Sequence, residues 1–133
     1  MRRIILSVVV LLAAMPVLAS TSAVSQLQSK YQAAGAGPFT AAAGQAFWNT
    51  KHNNSKVGKQ RDCTGCHTKN LKSMGKHVKT GKEIKPMAPS VNPERFTDAK
   101  KVKKWFRRNC KWVLGRECTA QEKGDVLQFL SIQ

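Results

Sequence analysis

The five residues Cys63-Thr64-Gly65-Cys66-His67 constrain this chain more than any other stretch. They read Cys-x-x-Cys-His, the attachment motif of a c-type haem. In such a motif the two cysteines bond the haem vinyl groups as thioethers. The histidine that follows directly ligates iron from the proximal side. A redox dithiol or half of a zinc site would use the same residue types. A zinc site needs more ligands, and only Cys110, Cys118, His52 and His77 remain, without a second Cys-x-x-Cys. The expected cofactor is therefore one covalent haem c, bonded by Cys63 and Cys66 and ligated by His67.

Residues 1–19 read as an export signal. Arg2 and Arg3 are a short positive region, Ile4 to Leu12 is an apolar run, and Val17-Leu18-Ala19 offers compact residues for cleavage. Arg2-Arg3 alone does not make a twin-arginine signal. An uncleaved anchor is the competing reading, but the run is short for a membrane span and no stop-transfer pattern follows. Cleavage after Ala19 leaves residues 20–133, the length of one small domain. Periplasmic export suits the motif, because c-type haem is attached outside the cytoplasm in bacteria.

Removing Arg2 and Arg3 leaves 21 of 23 basic residues against seven acidic ones, a mature net charge of +14. In a cytosolic protein that surplus would suggest nucleic acid. The export signal argues against nucleic acid here. An acidic redox partner or an anionic membrane surface is the expected counterpart, with plain solubility as the alternative. The mature domain itself is not expected to be membrane-embedded.

Val24, Leu27 and Tyr31 keep helical spacing up to the breaker run Gly35-Ala36-Gly37-Pro38. Thr40 is a candidate N-cap for a helix over Ala41 to Asn49, on which Gly44, Phe47 and Trp48 lie near one another. A small residue beside aromatics permits a close helix crossing. Lys51 to Arg61 is polar and basic and reads as a loop, with His52 a solvated residue. Residues 68–96 lack a long periodic run and are punctuated by Gly75, Gly81, Pro86, Pro89 and Pro93. Met74, His77 and Met87 in this stretch have side chains able to ligate iron by chemistry alone. The alternative is that the methionines pack on the porphyrin and His77 is exposed.

From an N-cap at Thr97 or Asp98 the pattern is helical through about Val113, with Gly115 as the stop. Val102, Trp105, Phe106, Trp112 and Val113 share one arc of that helix. Lys100, Lys101, Lys103, Lys104, Arg107, Arg108 and Lys111 share the opposite one. Asn109 falls in the middle of the apolar arc. A buried primary amide without partners costs about 1–3 kcal/mol. Asn109 is expected either to bond backbone near the helix end or to ligate iron through its side-chain oxygen. Cys110 and Cys118 follow it. In an oxidising compartment two spare cysteines pair, and a loop this short contributes about 2.5 kcal/mol. A thiolate ligand is the competing reading.

Thr119-Ala120-Gln121-Glu122 matches a capping box for a last helix carrying Val126, Leu127, Phe129 and Leu130. Its natural partner is the Gly44/Phe47 helix. Crossing first and last helices around a haem resembles the class I cytochrome c fold, so the expected class is all-α: helices and loops around one covalent haem. One departure stands out. Class I electron carriers have a methionine ligand shortly before the last helix, and residues 107–118 contain none.

The chain further resembles the sphaeroides haem protein family, monohaem oxygen-binding cytochromes c. The resembling segments are Cys63–His67, Ala88–Pro93, Arg95–Asp98, Lys104–Cys110 and Gly115–Thr119. The first forty mature residues match only loosely. The resemblance implies iron ligation by His67 and Asn109, with Cys110–Cys118 as a disulfide. It further implies that the asparagine leaves on reduction and opens a site for oxygen or nitric oxide. A dihaem cytochrome c or a membrane cytochrome b is the implied electron donor. Asn92, within Val91-Asn92-Pro93, is an alternative ligand, although Asn-Pro is also a turn signal.

Three functional readings follow. The first is an electron-accepting, ligand-binding cytochrome with a releasable asparagine. The second is a simple electron carrier with Met87, Met74 or His77 as sixth ligand. The third is a haem enzyme that turns over oxygen or nitric oxide.

Overall fold

Four of the helix ends expected from local capping chemistry form in the computed structural model, which describes residues 22–133. The expected signal segment 1–19 lies outside those residues. Helix α1 (Ala23–Ala33) starts where the Ser22 hydroxyl accepts from the Ser25 N–H at 3.2 Å. Helix α2 (Ala41–Asn49) starts at Thr40, whose hydroxyl accepts from the Ala43 N–H at 3.1 Å. A hairpin follows, with β1 (His52–Asn54) antiparallel to β2 (Lys59–Arg61) and His52 opposite Arg61. The short helix α3 (Thr64–His67) carries the haem motif. A second hairpin pairs β3 (Gly75–Lys76) with β4 (Glu83–Ile84). Helix α4 (Ala99–Leu114) begins at Asp98, which accepts from the N–H groups of Lys100 and Lys101, and ends at Gly115 with φ +75°. Helix α5 (Ala120–Ser131) opens with the complete Thr119/Glu122 capping box.

The first hairpin corrects the loop expected over Lys51 to Arg61. Its polar sequence hid a tertiary role, because Asn54 is buried against the far end of α4. His52 is likewise not simply solvated: its ring lies 4.4 Å from that of Phe47, and its Nε2 is 2.8 Å from the Phe47 carbonyl.

Helices α2 and α5 cross as the small residue predicts. A Cβ on Gly44 would sit 2.8 Å from the Phe129 Cβ and closer still to the Asp125 carbonyl, so only glycine allows this approach. Buried Asp125 fastens the crossing, accepting from the Thr40 N–H at 2.8 Å and the Gln121 amide at 3.0 Å. Two apolar clusters lie on either side of α5. Leu27, Tyr31 and Leu127 form one; Trp48, Leu71, Met87, Ala88, Val126, Phe129 and Leu130 form the other. Each fully buried aliphatic side chain of this kind contributes about 1.5–3 kcal/mol. Phe96 and Phe106 touch both clusters. Phe96 does so with φ at 59°, a left-handed conformation costing about 1–3 kcal/mol that its packing offsets. No helix among the described residues is long and apolar enough to cross a membrane.

Candidate functional site

The haem motif is set up by the residue before it. Asp62 Oδ1 accepts from the Thr64 hydroxyl and from the Gly65 N–H, each at 2.7 Å, which starts the turn. Thr68, at φ 63° and ψ 168°, ends it immediately after His67. The chain then folds back so that Gly75 of β3 meets the Cys66 carbonyl, where a Cβ would collide.

Cys63 and Cys66 are free thiols on this turn. Burial, with Asp62 and Cys66 adding to it, pushes the Cys63 thiol up to about 12. It is a thiol rather than a thiolate at neutral pH, unlike the activated cysteine of a redox dithiol. No group of three or more His, Cys, Asp or Glu among the described residues is arranged to hold a metal ion. Burial, helped by the charge of Arg95, lowers His67 to about 4. Its imidazole is therefore neutral and offers a lone pair. The His67 Nδ1 is buried without a partner, and its ring lies 5.3 Å from that of Trp48, whose Nε1 is likewise unpartnered. Arg95 is held beside it, its Nε donating to the Pro86 carbonyl at 2.8 Å and its Nη2 to the Lys85 carbonyl.

Helix α4 passes the motif with its apolar arc divided. Val102 and Phe106 pack on the core and Val113 is buried. Trp105, Asn109 and Trp112 form the other edge: Trp105 is 44% exposed, Asn109 is exposed and Trp112 half-buried. The expected apolar arc is present on α4, with Asn109 on its exposed edge. The wheel gave the arc, but protein covers only half of it. Nor does Asn109 bond the helix-end carbonyls; those of Lys111 and Trp112 accept from Asn54 and Arg61.

Asn109 lies between two residues that share neighbours with the motif cysteines. Phe106, one turn before it, packs on the same cluster as Cys63. Trp112, one turn after it, lines an open cleft of about 210 Å³ together with Cys66, Gly65, Arg61 and Val78. Each motif cysteine thus shares its surroundings with a residue one turn from Asn109, on opposite sides of it. Directly behind Asn109, Cys110 is joined to Cys118, with both sulfurs buried and Cα atoms 5.5 Å apart. That pairing removes the thiolate-ligand reading. Two thiols, a neutral imidazole with an unsatisfied buried nitrogen, and an uncovered aromatic edge around an amide fit a covalent haem c.

The other candidates are spread out. Met87 is 9% exposed within the Trp48 cluster, while Met74 is 48% exposed. His77 is half-buried rather than exposed: its Nδ1 accepts from the N–H groups of Lys79 and Thr80, and its ring lies 6.2 Å from that of Trp112. The Asn92 amide donates to the Pro86 carbonyl at 3.0 Å, as a turn residue would. Asn54, Arg61 and Arg95 escaped the sequence reading. All three bond backbone carbonyls, and carbonyls carry no residue signature.

Comparison with known proteins identifies the family. The family described as domain of unknown function (DUF1924) matches residues 34–130. Cytochrome c-type protein SHP of Cereibacter sphaeroides is 42% identical over 118 residues, 89% of this chain and 90% of that protein. The structure of oxidized SHP, described as an oxygen binding cytochrome c, matches with a TM-score of 0.74 at 41% identity, covering 83% of this chain and 96% of that one. The solution structure of cytochrome c'' from Methylophilus methylotrophus, which concerns haem-ligand detachment, matches with a TM-score of 0.68 at 38% identity, covering 80% and 90%. With identity at that level over nearly the whole of both chains, this chain belongs to the sphaeroides haem protein family of c-type cytochromes, built around one covalent haem c.

Proposed function

We propose that this is a periplasmic cytochrome that accepts electrons and then binds oxygen or nitric oxide after Asn109 releases the iron. Residues 1–19 act as the cleaved signal and 20–133 as the haem domain. Cys63 and Cys66 would hold the haem through thioethers, His67 would ligate its iron in both redox states, and Asn109 would ligate the ferric form. When bound, the haem supplies the change of redox state and a sixth position open to a diatomic molecule. An amide oxygen is a hard donor, and ferric iron is harder than ferrous, so reduction loosens its hold. Trp112, which lines the cleft beside Cys66, and Trp105 on the same side of α4 would offer aromatic surface to the haem. The electron donor is a dihaem cytochrome c or a membrane cytochrome b.

The observation that carries this reading is the position of Asn109 on α4, midway between Phe106 beside the Cys63 cluster and Trp112 in the Cys66 cleft. The solved relative described as an oxygen binding cytochrome c supports the ligand class, and the cytochrome c'' structure concerned with haem-ligand detachment supports release. Met87 is the weaker candidate, because its side chain is enclosed by the Trp48 cluster on the His67 side.

The test is Asn109→Ala, compared with Met87→Leu. Asn109→Ala should raise ferric azide affinity at least about tenfold, the factor that about 1.4 kcal/mol of displaced ligation represents. Nitric oxide binding to the ferrous form should change little, because the amide has already left. Met87→Leu should leave the ferric spectrum as it is. A Met87→Leu protein converted from low to high spin, with Asn109→Ala silent, would make this an ordinary electron carrier.

A further inference from the structure

The last turn of a helix leaves carbonyls without partners inside the helix. At the end of α4 the Trp112 carbonyl, and with it the Lys111 carbonyl that also accepts from the Gly115 N–H at 3.1 Å, is bonded from one hairpin. Asn54 Nδ2 donates to the Trp112 carbonyl at 2.9 Å and to the Lys111 carbonyl at 3.4 Å. Arg61 Nη1 donates to the same Trp112 carbonyl at 2.8 Å, and its guanidinium lies 3.6 Å from the Trp112 ring centroid. Asn54 is 2% exposed, and its Oδ1 accepts from the Lys56 N–H at 3.1 Å. The fit is close enough that a Cβ on Gly115 would come within 2.6 Å of that oxygen.

We propose that Asn54 and Arg61 are positioning residues that hold the Asn109 turn at a fixed place relative to the haem-attachment motif, strengthening the ferric hold of the amide. This rests on Asn109 being the sixth ligand. The argument is one of connection. Arg61 is the last residue of β2, and Asp62 and Cys63 follow it directly. A short path therefore runs from the Cys63 sulfur, through Arg61, to the backbone one turn past Asn109. Asn54 stands across the hairpin, where it pairs with Lys59. The Cys110–Cys118 bond holds the same turn from the side of α5. A cation at a helix C-terminus is also favoured by the helix dipole. A cap that served stability alone would need one donor from anywhere in the chain. Here two donors from one hairpin converge on a single carbonyl, and the hairpin leads into the motif.

The experiment is azide titration of the ferric holoprotein in wild type, Arg61→Ala, Asn109→Ala and the double variant, with thermal melting of each. Losing a hydrogen bond from a charged donor should loosen the amide enough to raise azide affinity about fivefold to tenfold. In the Asn109→Ala background the Arg61→Ala substitution should add nothing, because no ligand remains to be positioned. Lower melting of Arg61→Ala with unchanged azide binding, while Asn109→Ala still raises it, overturns the positioning role and leaves the ligand reading intact. Equal effects of Arg61→Ala in both backgrounds overturn it too. An Asn109→Ala protein with unchanged azide binding overturns the ligand reading and this proposal together. Arg61→Lys keeps the charge and loses the planar fork. It is read by the same criteria in case Arg61→Ala does not accumulate with haem.

Discussion

Replacing Cys110 and Cys118 together by alanine tests how firmly the Asn109 turn is held. The bridge closes a loop with a sequence separation of 8. Loop-closure entropy for so short a ring is worth about 2.5 kcal/mol. Both residues are only 5% exposed, so removing the sulfurs also leaves a small apolar gap, costing on the order of 1 kcal/mol more. For a domain of this size, a loss of about 3–4 kcal/mol lowers Tm by on the order of 10–15 °C. The assay is thermal unfolding of the oxidised holoprotein, followed by far-ultraviolet circular dichroism, with mass spectrometry to confirm both substitutions and the covalent haem. A second readout is the rate of azide binding to the ferric form, which should rise because the turn behind Asn109 loses one of its two fixings. A Tm within about 3 °C of wild type would refute the reasoning. It would mean that the Gly115–Asn54 contact and the bidentate Arg116–Glu122 pair already fix the α4–α5 connection, leaving loop closure nothing to add.

The exposed basic face of α4 should steer an acidic electron donor: Lys103→Gln with Lys104→Gln should slow reduction by a dihaem cytochrome c several-fold at low salt and much less near about 0.5 M. A reduction rate that stays flat with ionic strength would leave those lysines as a solvated face. Hydrogen bonds from Arg116 hold the Glu122 carboxyl below the usual carboxylate range, against the opposing effect of its burial, with help from the Thr119 N–H. Its folded value lies below the unfolded one, so this stabilisation is present above a pH of about 4.5 and is lost as pH falls through the folded value. Glu122→Gln should therefore lower Tm near neutrality and converge with wild type in strong acid; an equal gap at every pH would count against it.

How much of this could be read from the chain depended on the range of the interaction. Thr40, Asp98, Gly115 and the Thr119/Glu122 box marked their helix ends because capping partners lie within a few residues. The α2–α5 crossing was legible because Gly44 beside Phe47 and Trp48 leaves a notch that another helix fills. The haem motif was legible because its chemistry demands fixed spacing. Asn54 and Arg61 were not, since they bond carbonyls 58 and 51 residues away in sequence. A polar, basic stretch reads as a loop whichever backbone it reaches. The division of the α4 arc was hidden for a related reason. A helical wheel reports which residues share a side, not which part of that side another element covers. Met87 looked like a ligand by chemistry, and only tertiary packing shows it enclosed beside Trp48 and Leu71.

Helix α4 combines three tasks by dividing its circumference. Cations occupy the outer face, Val102 and Phe106 fill the core, and Trp112 lines the cleft beside Cys66, with Trp105 and Asn109 on the same side of the helix. Both ends are fixed, the first by the Asp98 cap and the last by Asn54, Arg61 and the Cys110–Cys118 bond. A helix pinned at both ends does not slide along its axis without breaking several of these bonds at once. On the reading in which Asn109 leaves the iron, the economical movement is therefore rotation of its own side chain about two torsions. The rigid surroundings would serve to return the amide to the same position each time the iron is oxidised.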